Sequence, residues 1–129
     1  MAPPARSSLA AEECLEIGPV LHHLGALITL GMGGLGLLFP GAAARLTGLE
    51  PLGRLGASEI RATYGGLFAA LGLFALATRD EVAFTMAGAA WLGAAAARVG
   101  DALWKGGGSD VWRAAIFEAA VALLLLAPA

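Results

Sequence analysis

From Leu24 to Ala44 the chain runs for 21 residues without a single Asp, Glu, Lys or Arg. At about 1.5 Å per helical residue, such a run crosses about 30 Å of hydrocarbon. Two more uncharged runs follow, Ala62 to Thr78 and Val82 to Ala97. A soluble chain of 129 residues has no interior large enough to hide them. Composition agrees: 58% of residues are hydrophobic and only 14% charged, with a mean hydropathy of +0.76. Soluble domains sit nearer about 45–50% and 25%. The chain therefore reads as an all-α integral membrane protein whose first partner is the lipid bilayer.

Breakers place the expected helices. Pro40-Gly41 closes the first, giving residues 18–39, after a flexible N-terminal segment of residues 1–17 that holds Pro3, Pro4 and three acids. Ala42 to Ala57 reads as a loop, with a short interfacial helix around Ala42 to Leu46. Ser58 is a suitable N-cap for a second helix over 58–78. The polar turn Arg79-Asp80-Glu81 leads to a third, 80–99. The glycine-rich connection Gly106-Gly107-Gly108-Ser109 precedes a fourth, 111–127, that stops at Pro128. Residues 18–129 are thus expected to form an up-down four-helix bundle.

Charge sets the orientation. Arg45, Arg54, Lys105, Arg61, Arg98 and Arg113 flank the one-two and three-four connections, while Arg6 and Arg79 lie on the other side. By the positive-inside rule, those connections face the cytoplasm and both termini lie outside it, in a multi-pass protein of a bacterial inner (plasma) membrane. A net charge of −2 with no basic cluster excludes a nucleic-acid partner. The single Cys14 excludes an internal disulfide. The first residues lack a secretory signal layout, so the first apolar run is expected to be retained.

Lipid gives helices no hydrophobic reason to associate, so small residues and polar contacts must hold them together. Gly25, Thr29 and Gly33 make one line at four-residue spacing, and Ala89, Gly93 and Ala97 make another. Gly65, Gly66 and Gly72 thin the second helix. Gly31-Met-Gly-Gly-Leu-Gly36 looks like a nucleotide loop but has no preceding strand, which makes it a packing surface.

The candidate site is ionic. Glu59, Arg61 and Tyr64 open the second helix, Arg98 and Asp101 close the third, and Glu118 lies inside the fourth, about 10 Å deeper than Val111. A carboxylate that deep must be paired or functional. Arg61 or Arg98 is its natural partner, because guanidinium grips carboxylate through two parallel hydrogen bonds. Tyr64 is within one turn of Arg61 and can donate to the same group. A clamp that only fixes helix register weighs equally with a cavity in which the arginines hold an anionic or quinone-like head group. His22 and His23 point about 100° apart, which makes them poor joint metal ligands, and no Cys/His/Asp set completes a metal or cofactor site. The serines Ser7, Ser8, Ser58 and Ser109 form no nucleophile elbow.

With these residues in hand, the chain resembles an uncharacterised bacterial family of small four-helix membrane proteins, a domain of unknown function distantly related to the DoxX-like group. The resemblance rests on Pro40, Glu59-Ile-Arg-Ala-Thr-Tyr-Gly-Gly66, Arg98-Val-Gly-Asp101 and Glu118. It implies four spans and no assigned activity. The quinone- or thiol-linked electron transfer of some DoxX-like proteins does not carry over, since Cys14 is the only cysteine. Three functions stay open. The first is an accessory protein binding a lipid, quinone or partner helix. The second is a membrane isomerase or oxidoreductase with Glu118 as acid/base. The third is a proton-coupled transporter, which at this size would need to be a homo-oligomer.

Overall fold

The computed structural model describes residues 6–129, apart from the side chains of residues 6, 7, 9 and 11–15. The loose start expected around Pro3 and Pro4, and the thiol of Cys14, lie outside the described residues. Among the described residues the chain is entirely helical, without strands, in five helices. These are α1 (Arg6–Leu38), α2 (Pro40–Thr47), α3 (Gly53–Thr78), α4 (Glu81–Lys105) and α5 (Ser109–Leu125). Three of them are long and apolar enough to cross a membrane: α1 over Glu16–Leu38, α3 and α4. At 17 residues, α5 is shorter.

Local chemistry explains the boundaries, several of which differ from those expected. Helix α1 begins well before Gly18 and passes through Pro19. Proline at residue 40 starts α2 rather than merely ending α1, because its fixed φ suits a first helical turn. Gly48, left-handed at φ 70°, closes α2. Ser58 caps nothing: α3 already runs from Gly53, so Ser58 sits within it. Between α3 and α4, Arg79 takes the left-handed conformation at φ 55°. Asp80 then caps α4, its Oδ1 accepting the Val82 N–H at 2.8 Å. Helix α4 extends through Gly100 to Lys105, beyond the expected end at Val99.

The chain forms two compact units, Met1–Gly25 with Phe84–Ala129, and Ala26–Ala83. In the second unit α1 and α3 run antiparallel in backbone contact. A Cβ on Gly72 would lie 2.5 Å from the Leu30 nitrogen, and one on Gly65 2.8 Å from the Leu37 nitrogen. A Cβ on Gly33 would collide with the Ala69 backbone, and one on Gly36 with the Tyr64 carbonyl. Gly31 and Gly34, interleaved with these, face open space. Only half of the glycine run therefore packs.

Helix α3 changes pitch at this crossing. Residues Arg61–Leu67 are wound as a π-helix, which inserts an extra residue into the ladder. Burial steps from Ile60 to Gly65, five residues, and then regains the α-helical period at Gly72 and Ala75. Glycines at 65 and 66 make the local loosening inexpensive.

In the first unit the buried stripe of α4 is Phe84, Ala87, Gly88, Trp91, Ala95 and Ala102. The expected packing line Ala89, Gly93 and Ala97 lies on the opposite, exposed face. Spacing alone cannot choose between two small-residue stripes on one alanine-rich helix; the large rings of Phe84 and Trp91 decide it. Helix α5 turns Ala115, Glu118, Val121, Ala122 and Leu125 inward. The molecule is inside-out by the standards of water: alanines and glycines are buried, while Leu27, Leu73, Phe74, Met86, Ile116 and Leu123 are exposed.

Gly33→Ala should lower stability by about 1–3 kcal/mol through overpacking. Gly34→Ala should be neutral or raise it by up to about 1 kcal/mol through helix propensity. Reversible unfolding in mixed micelles measures both; equal losses at the two positions would contradict the crossing.

Candidate functional site: a buried arginine–glutamate pair

Glu118 is the one buried carboxylate among the described residues, at 8% exposure. Helix α5 carries it inward on the same face as Ala115, Ala122 and Leu125. Small alanines on that face bring α4 near enough for Arg98 to reach it. Arg98 Nε donates to Oε2 at 2.9 Å, and Nη2 donates to Oε1 at 2.7 Å. This is the parallel two-bond grip that only arginine makes with a carboxylate. Both carboxylate oxygens are thereby engaged. The Arg98 side chain keeps 33% of its surface, against 10% for Glu118, so the acid is the more deeply buried partner.

Trp91 lies two turns before Arg98 on α4 and is buried, its ring meeting Phe117 edge-on at 5.9 Å between centroids. Phe117 precedes Glu118, so an aromatic contact and the ion pair fix the same stretch of α5. Of the two arginines open to Glu118 from the sequence, Arg98 holds it.

The remaining expected site residues are placed elsewhere. Asp101 is exposed and meets Lys105 one turn on, at 3.2 Å. Glu59 and Arg61 are exposed and, among the described residues, form no ion pair. Tyr64 packs beside Leu35 against the cluster of Ala43, Ala44 and Ile60, with its ring 6.3 Å from Phe68. The six residues thus divide into the Arg98–Glu118 pair, Asp101 held by Lys105 on the surface, and Glu59, Arg61 and Tyr64 around the π-helical turn. No three His, Cys, Asp or Glu side chains among the described residues come together as a metal site.

One polar contact was not legible from the sequence. His22 is buried and donates from Nε2 to the Ala127 carbonyl at 2.7 Å, 105 residues away, just past the end of α5. A carbonyl only accepts, so this bond fixes the proton on Nε2. The ring also stacks on Phe84 at 5.0 Å. His23 donates from Nδ1 to the Pro19 carbonyl at 2.6 Å. Each histidine therefore commits one ring nitrogen to backbone. His22 thereby ties the Ala127 carbonyl, beyond the last turn of α5, to α1. Nothing in the sequence signals that partner, since a carbonyl at Ala127 is like any other until the fold brings it near.

Fold and site together define a helical protein with three membrane-length helices and a polar pair buried between α4 and α5. No protein-family model, curated protein or solved structure matches the chain.

Removing either partner leaves the other without its counter-charge. Arg98→Ala or Glu118→Ala should each cost about 3 kcal/mol, the low end for buried pairs because Arg98 is partly exposed. The apolar replacement Arg98→Met with Glu118→Leu should recover most of that loss. A double variant no more stable than the singles, in a denaturation cycle, would show that the two residues do not act as a pair.

Proposed function

We propose that this is an accessory, non-enzymatic integral membrane protein that holds an anionic or quinone-type head group at the Arg98–Glu118 pair. The observation that carries the proposal is the pair itself: a buried carboxylate gripped at both oxygens by an arginine whose side chain keeps a third of its surface. A partly exposed cationic side chain at that depth suits a phosphate or a quinone carbonyl. Ionisable residues within membrane segments mark ligand or ion sites more often than they serve as decoration.

The proposal includes a fourth span. At 17 residues α5 is about 25 Å long, a few Å short of the hydrocarbon. Local thinning and the interfacial side chains Lys105, Trp112 and Arg113 accommodate such a mismatch. With that span, the excess of Lys and Arg on the two connections favours a cytoplasmic position for them in a bacterial cell, with both termini outside; four spans also fit the DoxX-like group that the sequence resembles. Helix α5 then carries Glu118 into the bilayer.

A second reading is favoured by one specific fact: both Glu118 oxygens are already occupied, which suffices for a clamp between α4 and α5. Mass spectrometry of small molecules that co-purify with the wild type and with Arg98→Lys separates the two. Lysine keeps the charge but loses the fork geometry. The binding reading expects a lipid or quinone enriched in the wild type and reduced about tenfold or more in the variant. Unchanged profiles alongside lowered stability would leave the clamp.

A further inference from the structure

The connection between α1 and α3 has an outward-facing composition that neither the crossing nor the ion pair uses. Between Phe39 and Glu59 the large apolar residues are Phe39, Leu46, Leu49, Leu52 and Leu55, and every one is exposed. Leu52 is 84% exposed and Leu55 74%. The inner face is made instead by Ala43 and Ala44 of α2, packed with Ile60, Leu35 and Tyr64. In water, such a segment would shed its leucines inward or aggregate.

Its ends decide what covers it. Gly36, near the end of α1, sits against the Tyr64 and Gly65 backbone of α3. Both α1 and α3 are long and apolar enough to span a membrane, so the chain leaves and re-enters the bilayer at one level. Arg45 and Arg54 each precede one of the exposed leucines, and Arg61 follows at the start of the π-helical turn. All three are exposed, and among the described residues none forms an ion pair. Glu50 and Glu59 are exposed as well, so the stretch keeps a net excess of one positive charge.

We propose that residues 39–61 form an interfacial element that binds anionic phospholipid: the leucines enter the acyl boundary, and Arg45, Arg54 and Arg61 contact head-group phosphates. Leucine inside the boundary with arginine at phosphate level is the division of labour of interfacial helices. The positive excess selects anionic over zwitterionic lipid, by about fivefold for each arginine engaged. This rests on the bilayer setting of α1 and α3, and it does not depend on any ligand at Arg98.

The full chain with Cys14→Ser and Leu52→Cys, labelled with an environment-sensitive fluorophore at residue 52, tests it in vesicles of equal phosphatidylglycerol and phosphatidylcholine. One lipid at a time is brominated in its acyl chains to quench the probe. The expected result is blue-shifted emission, quenched at least twofold more by brominated phosphatidylglycerol. Adding Arg45→Gln, Arg54→Gln and Arg61→Gln should bring the two lipids to parity while emission stays blue-shifted. Equal quenching in the parent protein overturns the anionic selectivity. Water-like emission with no quenching overturns the interfacial placement and points to a protein partner on this surface. Failure of the chain to float with vesicles at all would remove the bilayer setting itself.

Discussion

A bilayer gives helices nothing for hiding leucine, and everything else in this molecule follows from that. Surface area cannot hold α1 against α3, so backbone must approach backbone, and only positions without a side chain allow it. Gly33, Gly36, Gly65 and Gly72 occupy those positions. The same logic buries many alanines in the first unit and leaves Leu92, Leu103 and Leu123 outside. Where a stronger link is wanted, charge supplies it: Glu118 is buried on α5, and the two-bond grip of Arg98 engages both of its oxygens.

The π-helical turn links the crossing to the chemistry of the α3 entrance. An inserted residue at Arg61–Leu67 rotates everything before it relative to everything after it. Gly65 and Gly72 meet the backbone of α1, while Ile60 packs with the alanines of α2. The turn also leaves Arg61 outside and brings Tyr64 into the alanine cluster. Such turns often occur at functional positions, where a local change of pitch re-aims side chains. Here the re-aimed group includes Arg61, one of the three arginines of the proposed interfacial element.

The sequence carried the class of fold plainly, because long uncharged runs admit few alternatives. It carried less about faces. The Gly33 position was legible as packing, but Ala89, Gly93 and Ala97 pointed the wrong way, because nearly every residue near them is small. Ser58 looked like a cap because serine caps well, yet Leu52 and Gly53 offered an earlier start that no capping side chain announces. The Arg98–Glu118 pair could be named as one of two options from depth and chemistry. The choice between Arg61 and Arg98 turned on helix rotation, which depth and residue type do not give. His22 and Ala127 were invisible as partners, since a backbone carbonyl has no sequence signature.

The central claim is that α5 crosses the bilayer and carries Glu118 inside it. Single-cysteine accessibility in a Cys14→Ser background, at Leu49, Glu81, Ser109 and Ala129, tests this directly with a membrane-impermeant reagent. Leu49 and Ser109 should label from one side, and Glu81 and Ala129 from the other. Labelling of Ser109 and Ala129 from the same side would contradict the claim: α5 would not span, and Glu118 would not be an intramembrane carboxylate.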